Sequence, residues 1–243
     1  MNKWTKQQLR LALALYCQIP FGKMHSRNPD IINLAQKIGR TPSAVSMKLV
    51  NFASMDPEIV KSGRSGLGNA SALDRQVWGE FQADWEASLA SAALQIAPEL
   101  ETAIPPIGDT TRKVHIEIRT KQSIFRKMVL SNYVERCCIS GLSDARLLVA
   151  SHILPWSQSK EHRLNPHNGL CLSVLHDKAF DRGLLTIRPD LTVAISSELK
   201  KLKKDLFAAN TLVSLHGASI HTAEKFRPDR EFLEWHNREV FVA

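Results

Sequence analysis

The chain has 243 residues, with 32 Lys and Arg against 24 Asp and Glu for a net charge of +8, and 44% hydrophobic and 23% charged residues. That length suits one large domain or two small ones whose cores need no covalent staples, and four cysteines, two of them adjacent at Cys137 and Cys138, do not make a disulfide framework. Membrane and secreted classes are set aside: the apolar run at 11–17 is far short of the roughly 20 residues of a span, the Met1–Gln8 flank does not read as a leader, and reduced thiols fit a cytoplasmic protein.

The charge is unevenly distributed. Residues 1–79 carry a net of +7, residues 80–111 hold six acids and no Lys or Arg, and residues 112–243 carry +7 again. Two basic modules with an acidic helical spacer between them suit a chain that grips a polyanion at two places. Basic surfaces that only keep the protein in solution are the alternative. The run Ile104-Pro105-Pro106-Ile107-Gly108-Asp109 stops a helical pattern and places a linker at 101–111. The expected domains are therefore 1–100 and 112–243.

In the first module the sequence between Asp30 and Ala53 predicts two short helices with a tight joint. Ile31, Ile32, Leu34, Ala35 and Ile38 form the stripe of the first, Gly39 ends it, and Thr41-Pro42 starts the second, whose apolar face is Val45, Leu49 and Phe52. Arg40, Ser43, Ser46 and Lys48 are left to face outward near the second helix's start, as major-groove reading asks. The pattern resembles a helix-turn-helix, with the stretch 61–69 and its Arg64 as an arm or wing. An ordinary helical hairpin is the competing reading. From Ser71 to about Ala97 a single helix is expected, with Leu73, Val77, Trp78, Phe81, Trp85 and Leu89 as core and Pro98 as its stop.

The chemistry-bearing residues lie between 137 and 187. A helix at Gln122–Tyr133 carrying Arg126 and Lys127 leads to Cys137-Cys138-Ile139-Ser140-Gly141, then to a strand over Leu147–Leu154 that contains His152. A second short strand follows at 168–172, opened by Asn168-Gly169, and then a helix at 173–182 containing His176, Asp177, Asp181 and Arg182. Strand, loop, strand, helix with these residues resembles the ββα-metal fold of HNH endonucleases over roughly residues 112–187. The implied fold class is α+β, a ββα-metal nuclease domain preceded by a mainly helical, helix-turn-helix or winged-helix-like domain.

Hydrolysing a phosphodiester needs an activated water, a cation on the phosphate and a frame that keeps the two aligned. His152 can be the general base, because imidazole is the side chain best poised to take a proton near neutral pH. The resemblance implies that Asn168 holds the loop and the His152 backbone, and that His176 ligates Mg²⁺, Mn²⁺ or a similar divalent ion. Many relatives carry a metal-binding residue just before the base, and here that position is Ser151. Asp181, with Asp177 behind it, is the candidate for the missing carboxylate, or else Asp181 only caps the turn into Gly183. Relatives also carry two Cys-x-x-Cys knuckles for zinc. Each knuckle here lacks its second cysteine, so structural zinc is not expected and Cys138 and Cys171 read as small buried residues.

Beyond the core, Leu184–Ile187 and Leu191–Ile195 read as a hairpin. Ser197–Ala208 reads as a basic helix with Lys200, Lys201, Lys203 and Lys204, either a solvated face or an extension of a phosphate track, and Pro228–Val240 as a last helix. The expected activity is metal-dependent cleavage of double-stranded DNA, as in restriction-type HNH proteins, some of which act on modified cytosine. Arg126 and Arg182 are expected on the DNA backbone. Cutting both strands would need a homodimer or two sequential events, and a homodimer is the expectation. A DNA-binding regulator with a decayed nuclease core, and an RNA-cleaving toxin, are the competing readings.

Overall fold

The structure, a computed structural model, describes residues 3–64, 66–96 and 109–243. Its first helix, α1 (Lys6–Gln18), starts at a capping box in which Thr5 and Gln8 satisfy each other's free backbone N–H groups. Every residue from Leu11 to Cys17 is buried, because neighbouring helices cover α1 on nearly all sides. The apolar run that is too short for a membrane is the centre of the core, and no described helix is long and apolar enough to cross one.

Helices α2 (Pro29–Lys37) and α3 (Pro42–Ala53) form the expected pair. Each starts with a side-chain cap and a proline in its first turn, and Gly39 takes the left-handed conformation (φ +65°) between them. The buried face of α3 is wider than its apolar stripe, since Lys48 and Asn51 are inside with Val45, Leu49 and Phe52. After α4 (Pro57–Lys61) the chain forms no strand in the described part of 62–70. In place of a wing, that stretch is tied back: a Cβ at Gly66 would overlap the carbonyl of Val50 on α3.

The helix expected over 71–97 is two helices, α5 (Ala72–Ala83) and α6 (Trp85–Ile96). Asp84 breaks it, because in an extended conformation its carboxylate accepts from Ala87 N at 2.8 Å and recaps the chain. The expected linker lies outside the described residues except at its end, where α7 (Asp109–Asn132) begins, well before the predicted start at Gln122.

Helix α7 opens the C-terminal half. Strands β1 (Leu148–His152) and β2 (Gly169–Ser173) pair antiparallel with His152 opposite Gly169 and Ser151 opposite Leu170. Helix α8 (Val174–Asp181) follows, and the ββ pair packs between α7 and α8 through Phe125, Val129, Leu170 and Leu172. A second pair, β3 (Leu185–Ile187) with β4 (Val193–Ile195), completes the sheets. The basic helix expected over 197–208 is α9 (Ser197–Lys200), a tight turn over 201–204 and α10 (Leu206–Thr211), since Asp205 caps α10 and restarts the chain there.

The last helix, α11 (Arg230–Glu239), lays His236 on the Phe180 ring at 3.6 Å, and burial drives that imidazole's pKa down to about 4. The fold is mixed, a helical region followed by a small ββα unit in the C-terminal half. One hydrophobic cluster nevertheless runs from Leu9 to Leu233 through both halves. Buried Lys225 donates to the carbonyls of Tyr16 and Ile19 at the end of α1 (2.6 and 2.8 Å). Asn132, fully buried on α7, donates to Phe226 O and accepts from the N–H groups of Lys225 and Phe226.

Candidate active site

His152 ends β1, and its position is set from three sides. Its ring stacks on Phe125 of α7 at 3.6 Å and meets the edge of Trp156 at 5.5 Å. This approach of α7 requires Gly169 opposite, where a Cβ would overlap Val129 and press on Phe125. The third side is the loop 153–168, whose Arg163 carbonyl lies 3.0 Å from His152 Nε2. A carbonyl only accepts, so Nε2 carries the hydrogen and Nδ1 keeps its lone pair. Burial lowers the pKa of His152, which favours this neutral form.

Asn168 holds that loop. It is buried, accepts from Leu154 N at 2.7 Å, and donates to Leu154 O and His162 O at 3.2 and 3.1 Å. Its side chain therefore grips the backbone two residues beyond His152 rather than that of His152 itself. Arg163 turns back across the loop, donating to Trp156 O at 3.0 Å with its guanidinium 4.8 Å from the Trp156 ring.

On α8, Asp177 and Asp181 share one face, four residues apart. Burial lifts both carboxyls above the usual range, and the Asp177 charge lifts Asp181 further, against the pull of Lys178 and Arg182. Ser151 of β1 is 3% exposed, and its hydroxyl acts on the Asp177 carboxyl, opposing the rise that burial imposes there. A buried hydroxyl beside the Asp177 carboxyl, with Asp181 one turn further along α8, is an oxygen set that suits a hard cation. Among the described residues no group of three or more His, Cys, Asp or Glu forms a metal cluster.

His176 has a different environment. Its Nδ1 faces Ser173 Oγ at 3.0 Å and Cys137 Sγ at 3.4 Å, and its Nε2 faces Thr211 O at 3.2 Å. Burial opposes charge on both partners. The hydrogen bonds from His176 and Ser140 still bring the Cys137 thiol down to about 6, while Cys137 and Thr211 O hold the imidazole above its ordinary value. A carbonyl only accepts, so Nε2 carries a hydrogen toward Thr211 O, and Nδ1 is turned to Ser173 and Cys137. The sequence offered no signal for this, because Cys137 and Thr211 lie 39 and 35 residues from His176.

The expected DNA-contact residues divide. Lys48 is buried, donates to both Asp74 oxygens at 3.0 and 2.9 Å, and lies 5.3 Å from the Trp4 ring, so it does not face outward. Ser46 donates to Met24 O at 2.7 Å, and Arg40 donates to Lys3 O and Gln8 Oε1 at 2.6 and 3.0 Å. Arg64 pairs with Glu224. Arg126 braces β1 through the carbonyls of Leu148 and Ala145 at 2.8 and 2.9 Å. Ser43 and Arg182 are exposed.

Residues 137–188 match the HNH endonuclease family model. No curated protein matches the chain.

Proposed function

We propose, from the HNH endonuclease domain at residues 137–188, that the chain is a divalent-cation-dependent endonuclease that hydrolyses DNA phosphodiester bonds. The observation that carries this reading is His152, held on Phe125 with its Nε2 hydrogen on Arg163 O, so that Nδ1 keeps the lone pair a base needs. Nδ1 takes a proton from the attacking water, and the imidazolium that forms keeps its Nε2 hydrogen on Arg163 O, so the ring does not turn during transfer. Asn168 fixes the loop that supplies that carbonyl. Asp177 and Asp181 would hold the cation through their oxygens, since the His176 nitrogens face Thr211 O, Ser173 Oγ and Cys137 Sγ. What a divalent cation supplies there is neutralisation of the charge that builds on the phosphate and the leaving oxygen. Lys178 and Arg182, exposed on either side of Asp181, add positive charge for the flanking phosphates.

A restriction role, and a preference for DNA with modified cytosine, are the finer parts of the proposal. The test is cleavage of modified and unmodified duplex with Mg²⁺ or Mn²⁺ by the wild type, His152→Ala, and the double variant Asp177→Asn/Asp181→Asn. The expected result is cleavage by the wild type alone. Cleavage by His152→Ala at the wild-type rate would overturn the assignment of the base, and equal cutting of modified and unmodified DNA would remove the preference.

A further inference from the structure

Between β4 and the last helix the chain presents apolar side chains in the middle of a cationic run. Lys200, Lys201, Lys203 and Lys204 are exposed, and so are Leu202 at 48%, Leu206 at 79% and Phe207 at 66%. Packing does not explain the last two. Helix α10 buries Ala208, and Leu212 just beyond it, on its inner side, while Leu206 and Phe207 stand at its outer end. The segment is rigidly held. Asp205 caps α10 through Ala208 N at 2.9 Å, Thr211 Oγ1 donates to Phe207 O at 2.6 Å, and Thr211 O receives the His176 Nε2 hydrogen bond. His176 immediately precedes Asp177, so two hydrogen bonds link the turn bearing Phe207 to the helix that carries the site carboxylates.

We infer that Leu206 and Phe207 form a wedge that inserts between base pairs of duplex DNA, with Lys200, Lys201, Lys203 and Lys204 on the phosphates beside it. The inference rests on the DNA-endonuclease reading and adds to it the way the duplex is held. Charge complementarity selects the occupant: four lysines within five residues ask for a polyanion, whereas a second copy docked on the same patch would set two such clusters against each other. Apolar side chains that unstack a base step beside basic phosphate contacts are a recurring means of bending DNA, and they need no particular base. Bending at this point would open the backbone toward α8.

The experiment uses full-length His152→Ala, which binds without cutting, and duplexes carrying 2-aminopurine at successive steps. Binding is expected to raise the fluorescence several-fold at one step. Leu206→Ser/Phe207→Ser, made in the same background and checked for unchanged melting, is expected to lose that rise while its affinity changes by less than about threefold. Replacing the four lysines by Gln is expected to weaken binding to all sequences and to lower the salt slope by up to about 4. A rise that persists in the Ser variant overturns the wedge, and so does no rise at any step. The Ser change could instead split a dimer in sedimentation, or abolish binding to phosphatidylserine vesicles with the DNA signal intact. Either result would also overturn it. Because no step depends on cleavage, failure of the wild type to cut would count against the endonuclease reading alone.

Discussion

The two basic regions of the chain use their polar residues in opposite ways. In the helical half, residues that sequence spacing places on an outer surface are bonded to the protein itself: Lys48 to Asp74, Ser46 to Met24 O, Arg40 to Lys3 O and Gln8, Arg64 to Glu224. In the ββα unit, Asn168 is just as fully bonded, yet its bonds fix the loop that meets His152 Nε2 and leave that ring's Nδ1 with its lone pair. Positive charge in a segment therefore says little about whether that segment offers positive charge to a partner. Which polar groups remain available is set by the contacts the fold makes, not by the local charge.

The largest expected effect tests that distinction directly. His152→Ala should lower the cleavage rate by about 100- to 10,000-fold, the usual contribution of a general base. Thermal melting with the same variant should show that the protein stays folded. Lys48→Met should do the converse. It strands the fully buried Asp74 carboxylate and should cost about 3 kcal/mol in denaturant unfolding, with DNA affinity unchanged. Weakened DNA binding in a still-folded Lys48→Met protein would break the comparison.

His236 sharpens it with pH. The unfolded imidazole takes a proton near 6.5, but the buried, stacked one takes it only near 4. The unfolded state therefore binds more protons between those values, and the His236 contribution is intact above pH 6.5 and lost as pH falls toward 4. On the order of 3 kcal/mol is at stake. Unfolding curves across this window should be steeper in pH for the wild type than for His236→Met.

The two clamping asparagines provide the next contrast. Asn132→Ala and Asn168→Ala each remove three side-chain bonds to the backbone and should each cost about 2 to 3 kcal/mol. Below both melting temperatures, only Asn168→Ala should also lower kcat, because only its loop holds the base. The smallest effect belongs to exposed Arg182. Arg182→Gln should reduce the slope of log affinity against log salt by about 1, measured by fluorescence anisotropy.

Much of the ββα unit was legible because its signals are local. Leu148–His152, Asn168-Gly169 and the helix through Asp181 are short apolar runs bounded by turn residues, and their edges differ from the expected ones by one or two residues. The pair α2 and α3 was legible for the same reason, through Asn28, Gly39, Thr41 and Pro42. The breaks at Asp84 and Asp205 were missed because apolar periodicity continues across each of them, while a single carboxylate recaps the chain.

The sequence by itself determined the helical first half and the strand-loop-strand-helix order, since hydrophobic period, caps and turn residues act over a few positions. Tertiary structure alone decided which polar groups stay available. His176 was set against Cys137 and Thr211, Lys48 was turned inward by Asp74, and Ser151 was buried beside Asp177. Those outcomes depend on contacts between residues tens of positions apart, where burial makes each hydrogen bond strong and each missing one costly.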